Sequence, residues 1–550
     1  MKFEKEVINY FKKDFFSDLK AGFITAIVAL PLAIAFAIAS GVPPIMGLYT
    51  AIIAGILGST FGGSKFSVTG PTGAMAVIIL STVTKYGLEG LLLAGFLAGI
   101  IQIAFGIIKL GKLVKYIPMP VIVGFTAGIG AIIFIGQISN FLGLSITPKD
   151  RIWETLFEIY HTFSNFNHYA VIISIATICL LIFLPYILNK NKLTKNIPPS
   201  IIALLIAGTI VFTLGLNIPT IGTIAGGFPK PHLINFNLEL VFKVLPSAFT
   251  IALLGVIEAL LCAVICDAMT NTKHKSDKEL IGQGIANLVL PFFNAIPSTA
   301  AIARSAVNIR EGARTKGAGI IHALVLLTII LFFAQFAKYI PLAFLAGVLI
   351  VVSIRMININ EIKTILSTDK SEIIVLISTF VLTIFTDLVF AVQIGMLLAI
   401  SLLFLRLVQI IDIKQMEEYD SNGEINSIIL KNNKLKNKVS IYTIHGPFFF
   451  GAMNVFQQKI NEHMHISRPY IIIRMKHVPF IDGTGLIQLM GFLKERKKNN
   501  SKVLFTEFWP GVKEKLFKNK EFQELVSKHE VFPSTNKAIE YIEKLEDAIN

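Results

Sequence analysis

The sequence predicts a polytopic α-helical membrane protein with a soluble α/β domain at its C-terminal end. Of its 550 residues, 54% are hydrophobic and only 15% are charged, which is far from the balance of a soluble domain. Apolar runs of about 20 residues, the length that spans a bilayer, recur from residue 19 to residue 410. From Ile411 onward charges become frequent, as in KERKKNN (494–500). The membrane part therefore ends near there, and a soluble domain follows.

About fourteen membrane crossings are predicted, in two halves of seven. They are expected near 20–39, 45–61, 67–84, 89–108, 118–140, 169–187, 198–214, 245–267, 279–295, 297–309, 318–337, 342–357, 371–387 and 388–410. The whole transmembrane region is 19–410, and its halves cover about 19–214 and 245–410. A short segment, 1–18, precedes them. Two segments follow. Residues 411–437 comprise a linker and the start of the soluble domain, and residues 438–550 form the soluble domain itself.

Basic residues cluster beside alternate crossings and predict the orientation of the chain. They are Lys12, Lys13, Lys20, Lys65, Lys109, Lys112, Lys115, Lys190, Lys192, Lys195, Lys273, Lys275, Lys278, Arg310, Arg314, Lys316, Arg355, Lys363 and Lys414. With fourteen crossings and the N-terminus inside, all of them lie on the cytoplasmic side. The net charge of +15 is therefore interpreted as a feature of membrane orientation and not of nucleic-acid binding. The expected location is a plasma or bacterial inner membrane. Both termini are expected in the cytoplasm.

The cysteines and the N-terminal residues exclude other classes of protein. Cys179, Cys262 and Cys266 lie within apolar runs and do not suggest a disulfide framework. Cys262 and Cys266 have no histidine or acidic company, so we expect no metal site. The first twenty residues are too charged for a cleavable signal peptide.

The third and tenth crossings are interrupted. The third begins with SVTGPTG (67–73), and the tenth, AIPSTAAIARSAVN (295–308), carries a proline before a short amphipathic run. Because proline is tolerated only in the first turn of a helix, each crossing should combine an extended stretch with a half-length helix. Non-helical backbone at this depth requires surrounding protein or a cavity. A packing kink would not require a counterpart seven crossings later.

The positions of the two interruptions predict a binding site. A repeat of seven crossings must be inverted, so both half-helices begin near the midplane with their N-termini facing each other. Each N-terminus presents unpaired amides and partial positive charge. Broken helices at matching places in two halves are typical of a transporter's binding site, and here the expected ligand is an anion.

Three stretches resemble the SulP (sulfate permease) anion transporter family. They are VPPIMGLYTAIIAGILGSTFGGSKFSVTGPTGAMAVII (42–79), KELIGQGIANLV (278–289) and IPSTAAIARSAVNIREGARTK (296–316). The resemblance extends to a C-terminal STAS-like domain. It implies a seven-plus-seven inverted repeat divided into a core and a gate domain, no cofactor and a homodimer. It also implies transport of sulfate, bicarbonate, dicarboxylates or halides by proton or sodium symport or by anion exchange.

The resemblance places the anion at the two interrupted crossings. The residues carried over are Thr69, Gly70, Pro71, Thr72, Ser298, Thr299, Ala300, Ala301 and Arg304. Backbone amides and hydroxyls replace water around an anion without adding full charge, so they permit release. Arg304 is expected to attract the anion, and the alternative is an arginine that snorkels toward the interface.

Glu258 lies near the middle of the eighth crossing, in LLGVIEALLCAVICD (253–267). A carboxylate at that depth is costly and is therefore a functional candidate. We predict that it carries a coupling proton, because relatives that couple to sodium tend to have aspartate there. A structural ion pair with Arg304 is the alternative. Four amides in apolar runs, Gln102, Gln137, Gln283 and Asn287, are interpreted mainly as packing residues.

The soluble region alternates strands and helices, which predicts a mixed sheet covered by helices. Strands are expected at 439–446, 470–478 and 502–508, and helices at 450–464, 485–498, 511–518 and 535–547. PFIDGTGLIQLMGFL (479–493) resembles the STAS signature. Gly483 stands where related sigma-factor regulators carry a phosphorylated serine, so no phospho-switch is expected. The role expected of the soluble domain is therefore regulation or docking of a cytoplasmic protein partner, whose identity the sequence does not give.

The sequence therefore predicts a secondary active transporter of a small anion, with proton symport as the expected coupling. The expected partners are the anion, a proton or sodium ion, lipid and a second copy of the chain. Alternatives are a sodium-coupled bicarbonate symporter, an exchanger, a channel, a nucleobase carrier on the same fold, or a membrane-anchored signalling module. No nucleophile triad, metal cluster or ATP site supports an enzyme.

Overall fold

A computed structural model describes residues 10–11, 13–112, 117–144, 146, 152–188, 190, 198–224, 226–231, 233–234, 236–386, 388–409, 412–415, 435, 438–449 and 468–549. The chain divides into two compact units, 1–399 and 400–550. Most of the expected N-terminal segment (1–18) and linker (411–437) lies outside the described residues. The whole helix expected at 450–464 lies outside them as well.

The first unit is almost entirely helical. Its helices are α1 (Phe15–Ala39), α2 (Pro44–Phe61), α3 (Gly73–Ile107), α4 (Met119–Gly136), α5 (Ile138–Leu142), α6 (Ile152–Thr162), α7 (His168–Leu188), α8 (Pro199–Leu214), α9 (Leu238–Thr270), α10 (Ser276–Val289), α11 (Ile302–Arg310), α12 (Gly317–Phe333), α13 (Leu342–Met356), α14 (Ile359–Leu366), α15 (Lys370–Phe385) and α16 (Leu388–Gln409). Two two-residue strands, β1 (Thr69–Gly70) and β2 (Thr299–Ala300), precede α3 and α11.

The helices pack in two groups, as the expected core and gate require. One group contains α1, α2, α3, α9, α10, α11 and α12, and the other contains α4, α5, α7, α8, α13 and α15. The groups meet where α1 packs on α13 and where α3 packs on α4. We call the first group the core and the second the gate. The core thus combines the first four predicted crossings with the eighth to eleventh.

Small residues allow the core helices to approach closely. A Cβ atom added at Gly99 of α3 would lie 2.5 Å from the amide nitrogen of Leu288 in α10. One added at Gly47 of α2 would lie 2.2 Å from the carbonyl oxygen of Ala33 in α1. The hydrophobic effect contributes little to the association of helices in lipid, because lipid tails are as apolar as the side chains. Close van der Waals packing of this kind therefore holds the core helices together.

Among the described residues, nine helices are long and apolar enough to cross a membrane. The number fourteen stays a prediction, because several predicted crossings correspond to shorter helices such as α8 and α11. The helices α6 and α14 were not predicted from the sequence.

The third and fourth predicted crossings form one helical element, α3, with a break at Gly87. This residue adopts φ 69° and ψ −175°, in a region of backbone space that favours glycine. The sequence prediction of two separate helices agrees with this break. It is right in placing a change of backbone direction between residues 84 and 89.

The second unit contains a five-stranded sheet. Its strands are β3 (Asp412–Gln415), β4 (Val439–His445), β5 (Tyr470–His477), β6 (Lys502–Thr506) and β7 (Val531–Phe532), paired in that order. β3 is antiparallel to β4, and the remaining pairs are parallel. The helices are α17 (Gly483–Lys498), α18 (Pro510–Phe517), α19 (Lys520–Leu525) and α20 (Thr535–Ile549). The mixed sheet agrees with the prediction, whereas β3, β7 and α19 were not anticipated.

Alternate residues of the parallel strands cover the two faces of this sheet, as a period of two requires. Ile472 and Leu504 pack with Ile539 of α20 on one face. Ile473 and Phe505 pack with Leu489 of α17 on the other. Asp482 caps α17, because its carboxylate accepts a hydrogen bond from the Gly485 amide at 2.7 Å.

Candidate functional site

The two interrupted crossings meet at a short antiparallel strand pair inside the core. Thr69 lies opposite Ala300, and Gly70 lies opposite Thr299. All four residues are buried. The antiparallel pairing of the two extended stretches is the arrangement that an inverted repeat predicts.

The helix after β1 begins at Gly73 with a side-chain cap. Pro71 ends the extended stretch, and Thr72 is the N-cap residue. The Thr72 hydroxyl accepts a hydrogen bond from the Met75 amide at 3.3 Å. The amides of Gly73 and Ala74 belong to the first turn and have no partner further back in the helix.

The helix after β2 begins at Ile302 and has no polar cap. Its N-cap residue is Ala301, whose methyl group cannot accept a hydrogen bond. Ala301 is half-buried, and Ile302 and Ala303 are exposed. The first-turn amides of α11 therefore lie beside solvent-accessible side chains, where they can bind an anion that enters from outside the core.

A stripe of polar side chains on α10 holds both strands from behind. Gln283 donates to the Thr69 hydroxyl at 3.0 Å and to the Glu279 carboxylate at 3.1 Å. Asn287 accepts from the Ser298 amide at 2.7 Å and donates to the Ser298 carbonyl at 3.0 Å. On the far side of β2, Thr299 donates to the Gly255 carbonyl at 2.9 Å. The strand pair is thus held in place by α10 and α9.

Glu279 extends this network to the segment before β1. It is only 1% exposed, and its carboxylate accepts hydrogen bonds from the amides of Gly63 and Ser64, both at 2.7 Å. These bonds place the start of the extended stretch. The supports of the strand pair are therefore Glu279, Gln283 and Asn287. From the sequence, Gln283 and Asn287 were interpreted mainly as packing residues, and Glu279 was not singled out.

Arg304 lies beneath the strand pair. It is 1% exposed, so the alternative of a snorkelling side chain is wrong. Its Nη2 donates to the Pro71 carbonyl at 2.6 Å, and a Cβ atom added at Gly70 would lie 2.5 Å from Nη1. Nη1 has no hydrogen-bond partner among the described residues. A guanidinium charge is thereby buried directly against β1.

Glu258 lies on α9 on the other side of Thr72. Its carboxylate accepts a hydrogen bond from the Thr72 hydroxyl at 2.8 Å, and the residue is half-buried. Glu258 and Arg304 form no direct ion pair in the described structure, which contradicts the alternative of a structural ion pair and leaves the coupling role a prediction. One hydroxyl, that of Thr72, therefore joins the carboxylate to the cap of α3.

A cavity of about 680 Å³ lies between the core and the gate. Polar residues on its wall include Ser81, Lys85, Gln137, Asn140, Thr250 and Thr383. Its lining reaches Ala76 and Ile133. A Cβ atom added at Gly73 would lie 2.8 Å from Ile133 Cδ1 and 3.2 Å from Phe36 Cε1, so apolar side chains stand between this cavity and the start of α3.

We predict that Gly58→Ala disturbs the strand pair from the side of α2. The added methyl group would lie 2.3 Å from Thr69 Oγ1 and 2.8 Å from Thr69 Cβ, and Thr69 is fully buried. Overpacking of this kind costs about 1–3 kcal/mol, against a gain of about 1 kcal/mol in helix propensity. We expect a lower thermal unfolding midpoint of the purified protein and, if the strand pair forms the site, weaker ligand binding.

Gly208→Ala in α8 is the matched control, because the nearest atom to its added methyl group is 3.9 Å away. It should leave the unfolding midpoint unchanged or slightly raised. A Gly58→Ala protein as stable as this control would contradict the close packing of α2 on Thr69.

Comparison with known proteins gives two family matches. The sequence model of the sulfate permease family matches residues 15–379, and that of the STAS domain matches residues 431–538. The chain is 38% identical to a putative sulfate transporter, YvdB, of Bacillus subtilis, over 96% of this chain and 98% of the relative.

Two further relatives bear on the fold and the substrate. A bicarbonate transporter, BicA, of a Picosynechococcus species is 32% identical, over 81% of this chain and 80% of the relative. A solved structure of the murine Solute Carrier 26 family member A9 anion transporter, in an inward-facing state, superposes with a TM-score of 0.86. It covers 97% of this chain and 92% of the other, at 19% identity, and supports the fold alone.

Proposed function

The chain belongs to the sulfate permease family, and we propose that it is a secondary active transporter of a small anion, with sulfate or bicarbonate as the first candidates. The names of the relatives from Bacillus subtilis and Picosynechococcus support these two anions. A C4-dicarboxylate remains a further candidate. The proposed binding residues are those of the sequence prediction: Thr69, Gly70, Pro71, Thr72, Ser298, Thr299, Ala300, Ala301 and Arg304.

The uncapped N-terminus of α11 beside the buried Arg304 is the observation that carries the proposal. The amides of Ile302 and Ala303 provide donors, and the helix end adds partial positive charge. Arg304 adds a full charge from beneath β1, although its side chain is buried. A neutral substrate such as a nucleobase would gain nothing from this charge. An anion is therefore the class of ligand that the arrangement favours.

Transport is proposed to proceed by movement of the core against the gate. The binding residues all belong to the core, whereas the cavity of about 680 Å³ is lined by both groups. The apolar contact of Ile133 and Phe36 with Gly73 would close the route between that cavity and the site. Separation of α4 from α3 at this contact would open it. Such a change exposes one site alternately to the two sides of the membrane.

Glu258 is proposed to bind the coupling proton. Its hydrogen bond to Thr72 links its state to the cap of α3. A protonated and an ionised carboxyl group differ by a full charge close to the anion, so proton and anion binding affect each other reciprocally. The basic clusters support the orientation proposed for the chain, with both termini in the cytoplasm.

Uptake into proteoliposomes tests the proposal. The purified full chain is reconstituted, and uptake of labelled sulfate, bicarbonate and succinate is measured with no gradient, an inward proton gradient, an inward sodium gradient or internal unlabelled anion. We expect uptake that an inward proton gradient accelerates and that a protonophore slows. Protein-free liposomes and labelled uracil are the controls.

Each other outcome has a definite meaning in this assay. Acceleration by the sodium gradient alone would identify sodium, and not the proton, as the coupling ion. Uptake that requires internal anion would indicate an exchanger. Rapid uptake that follows only the membrane potential would indicate a channel. Uptake of uracil but of no anion would contradict the proposed function.

A further inference from the structure

The cavity of about 680 Å³ lies at one end of the helices that surround it. Its wall includes Ala39 at the C-terminal end of α1, Gln137 directly after α4 and Phe385 at the C-terminal end of α15. The basic clusters lie at or beside the opposite, N-terminal ends of these three helices, as Lys20 and Lys115 illustrate. In the orientation proposed for the chain, this cavity therefore lies on the extracellular side, and we call it the outer cavity.

One charged side chain contributes to the wall of the outer cavity. It is Lys85, on α3 two residues before the break at Gly87, and it is the only charged residue among the described residues of the wall. Glu89, one turn further along α3, does not line the cavity, and Glu154 and Glu158 of α6 line a neighbouring depression instead. Within the described part of the chain, the outer cavity therefore carries positive charge and no acidic side chain.

Neutral polar groups accompany Lys85 on this wall. Ser81 lies one helical turn earlier on the same side of α3 and also lines the cavity. On the side of the gate, Asn140 Nδ2 donates to Gln137 Oε1 at 3.2 Å, which leaves the amide nitrogen of Gln137 to donate to a ligand. Sites for small molecules commonly have volumes of about 300–1,000 Å³. The outer cavity thus has room for a small anion with part of its hydration water.

Lys85 is too far from the strand pair to act on an anion there. It lies 13 residues beyond Thr72 along α3, and a rise of about 1.5 Å per residue places it about 20 Å away. At physiological ionic strength, charges are screened over about 8 Å. The contact of Ile133 and Phe36 with Gly73 also separates the two places. Lys85 therefore acts on an anion in the outer cavity and not on one at the start of α11.

We propose that the outer cavity is a second anion site, in which Lys85 and the Gln137 amide hold an anion from outside before the core and the gate move. Positive charge in a cleft raises the local concentration of anions and the rate of their capture. Neutral donors add hydrogen bonds without holding the anion too tightly for onward transfer. The inference rests on the proposed anion transport and on the proposed orientation, and it adds an entry site on the extracellular side.

Uptake from outside tests the role of the Lys85 charge. Initial uptake of labelled bicarbonate, sulfate and succinate is measured over a range of external concentrations in intact bacterial cells that express the full chain. In Lys85→Gln, we expect uptake at low concentration to fall about threefold for monovalent bicarbonate and about tenfold for the divalent anions. The attraction exerted by one charge about 6 Å away in water doubles for a divalent anion. Uptake at saturating concentration should stay unchanged, because the strand pair keeps all its residues.

Chemical modification separates the charge of residue 85 from its shape and shows on which side it lies. In Lys85→Cys, a membrane-impermeant methanethiosulfonate with a trimethylammonium group restores a positive charge, and one with a sulfonate group adds a negative charge. Added outside intact cells, the first reagent should return uptake toward the wild-type rate, and the second should lower it further. The wild type should respond to neither reagent, because Cys262 and Cys266 are buried and Cys179 lies in the middle of the apolar helix α7.

Lys243→Gln is the matched control. Lys243 lies in the second turn of α9, near the proposed extracellular end of that helix, where it is exposed and pairs with Glu239 at 2.6 Å. It does not line the outer cavity, although its exchange changes the net charge of the chain as much as that of Lys85. Uptake by this variant should match that of the wild type at every concentration.

Gln137→Glu tests the neutral donor of the same site. The new side chain has nearly the same shape and keeps an oxygen that accepts from Asn140, but it replaces the amide donor by a negatively charged acceptor. Uptake at low external concentration should therefore fall at least as far as in Lys85→Gln.

The outcomes separate this inference from the function on which it rests. If Lys85→Gln and Lys243→Gln had the same effect, or if the two reagents changed Lys85→Cys equally, the outer cavity would not be an anion site, while anion transport would stand. A response to the reagents only in inside-out vesicles would place the cavity on the cytoplasmic side and overturn external entry. A wild type that takes up none of the three anions would overturn the proposed function itself.

Discussion

Exchange of Arg304 for glutamine is expected to lower anion uptake by about 10- to 100-fold. A hydrogen bond from a charged donor contributes about 1.5–3 kcal/mol, and about 1.4 kcal/mol corresponds to a factor of ten. The substitution removes the bond to the Pro71 carbonyl and the full charge beneath β1. Because the charge acts on the anion, most of the loss should appear as weaker anion binding, measured by the concentration dependence of uptake in proteoliposomes.

Two further variants separate charge from geometry at this position. Arg304→Lys keeps the charge but not the planar donor that reaches Pro71, so its uptake should fall between those of the wild type and the glutamine variant. Arg310→Gln is the control, because Arg310 lies at the exposed end of the same helix. If Arg310→Gln lowered uptake as much as Arg304→Gln, the effect would be one of net charge, and Arg304 would lose its proposed role.

The interruptions of the third and tenth crossings could be predicted from local chemistry. Proline cannot occupy the interior of a helix without loss of a hydrogen bond. Pro71 and Pro297 mark the extended stretches before α3 and α11, but a proline alone does not decide, because Pro31 and Pro246 lie inside α1 and α9. The pairing of these stretches as β1 and β2 joins residues that lie 231 and 229 positions apart in the chain, and local sequence carries no record of it.

The supports of the strand pair were harder to recognise. Gln283 and Asn287 were interpreted as packing residues, since an amide in an apolar run looks the same whether it joins two helices or holds a binding segment. One signal was present. Glu279, Gln283 and Asn287 are spaced by four residues and so form one polar stripe on a helix face. A continuous stripe of this kind in a crossing indicates a polar surface to be paired, here the backbone of β1 and β2.

The direction of the Arg304 side chain could not be read from the sequence either. Position 304 is one turn from a helix start and six residues from a charged end, so burial and snorkelling were both open. Tertiary packing decides between them. The absence of a side chain at Gly70 leaves the space in which the guanidinium lies, so the glycine that breaks the crossing also admits the arginine.

Exchange of Glu258 for glutamine is expected to abolish the response of uptake to an imposed proton gradient. Glutamine has nearly the same shape, and its amide oxygen can still accept the hydrogen bond from Thr72 that the carboxylate accepts at 2.8 Å. The fold and the cap of α3 are therefore retained, and only the ability to bind and release a proton is lost. Uptake with and without an inward proton gradient is compared in the same liposome preparation.

In the wild type this gradient should accelerate uptake, whereas in Glu258→Gln the two rates should be equal. Glu239→Gln is the control on the same helix, because Glu239 is exposed and pairs with Lys243 at 2.6 Å. Glu239 lies about five helical turns from Glu258. Its response to the gradient should match that of the wild type. If Glu258→Gln kept the full response, the proton would have to bind elsewhere in the core.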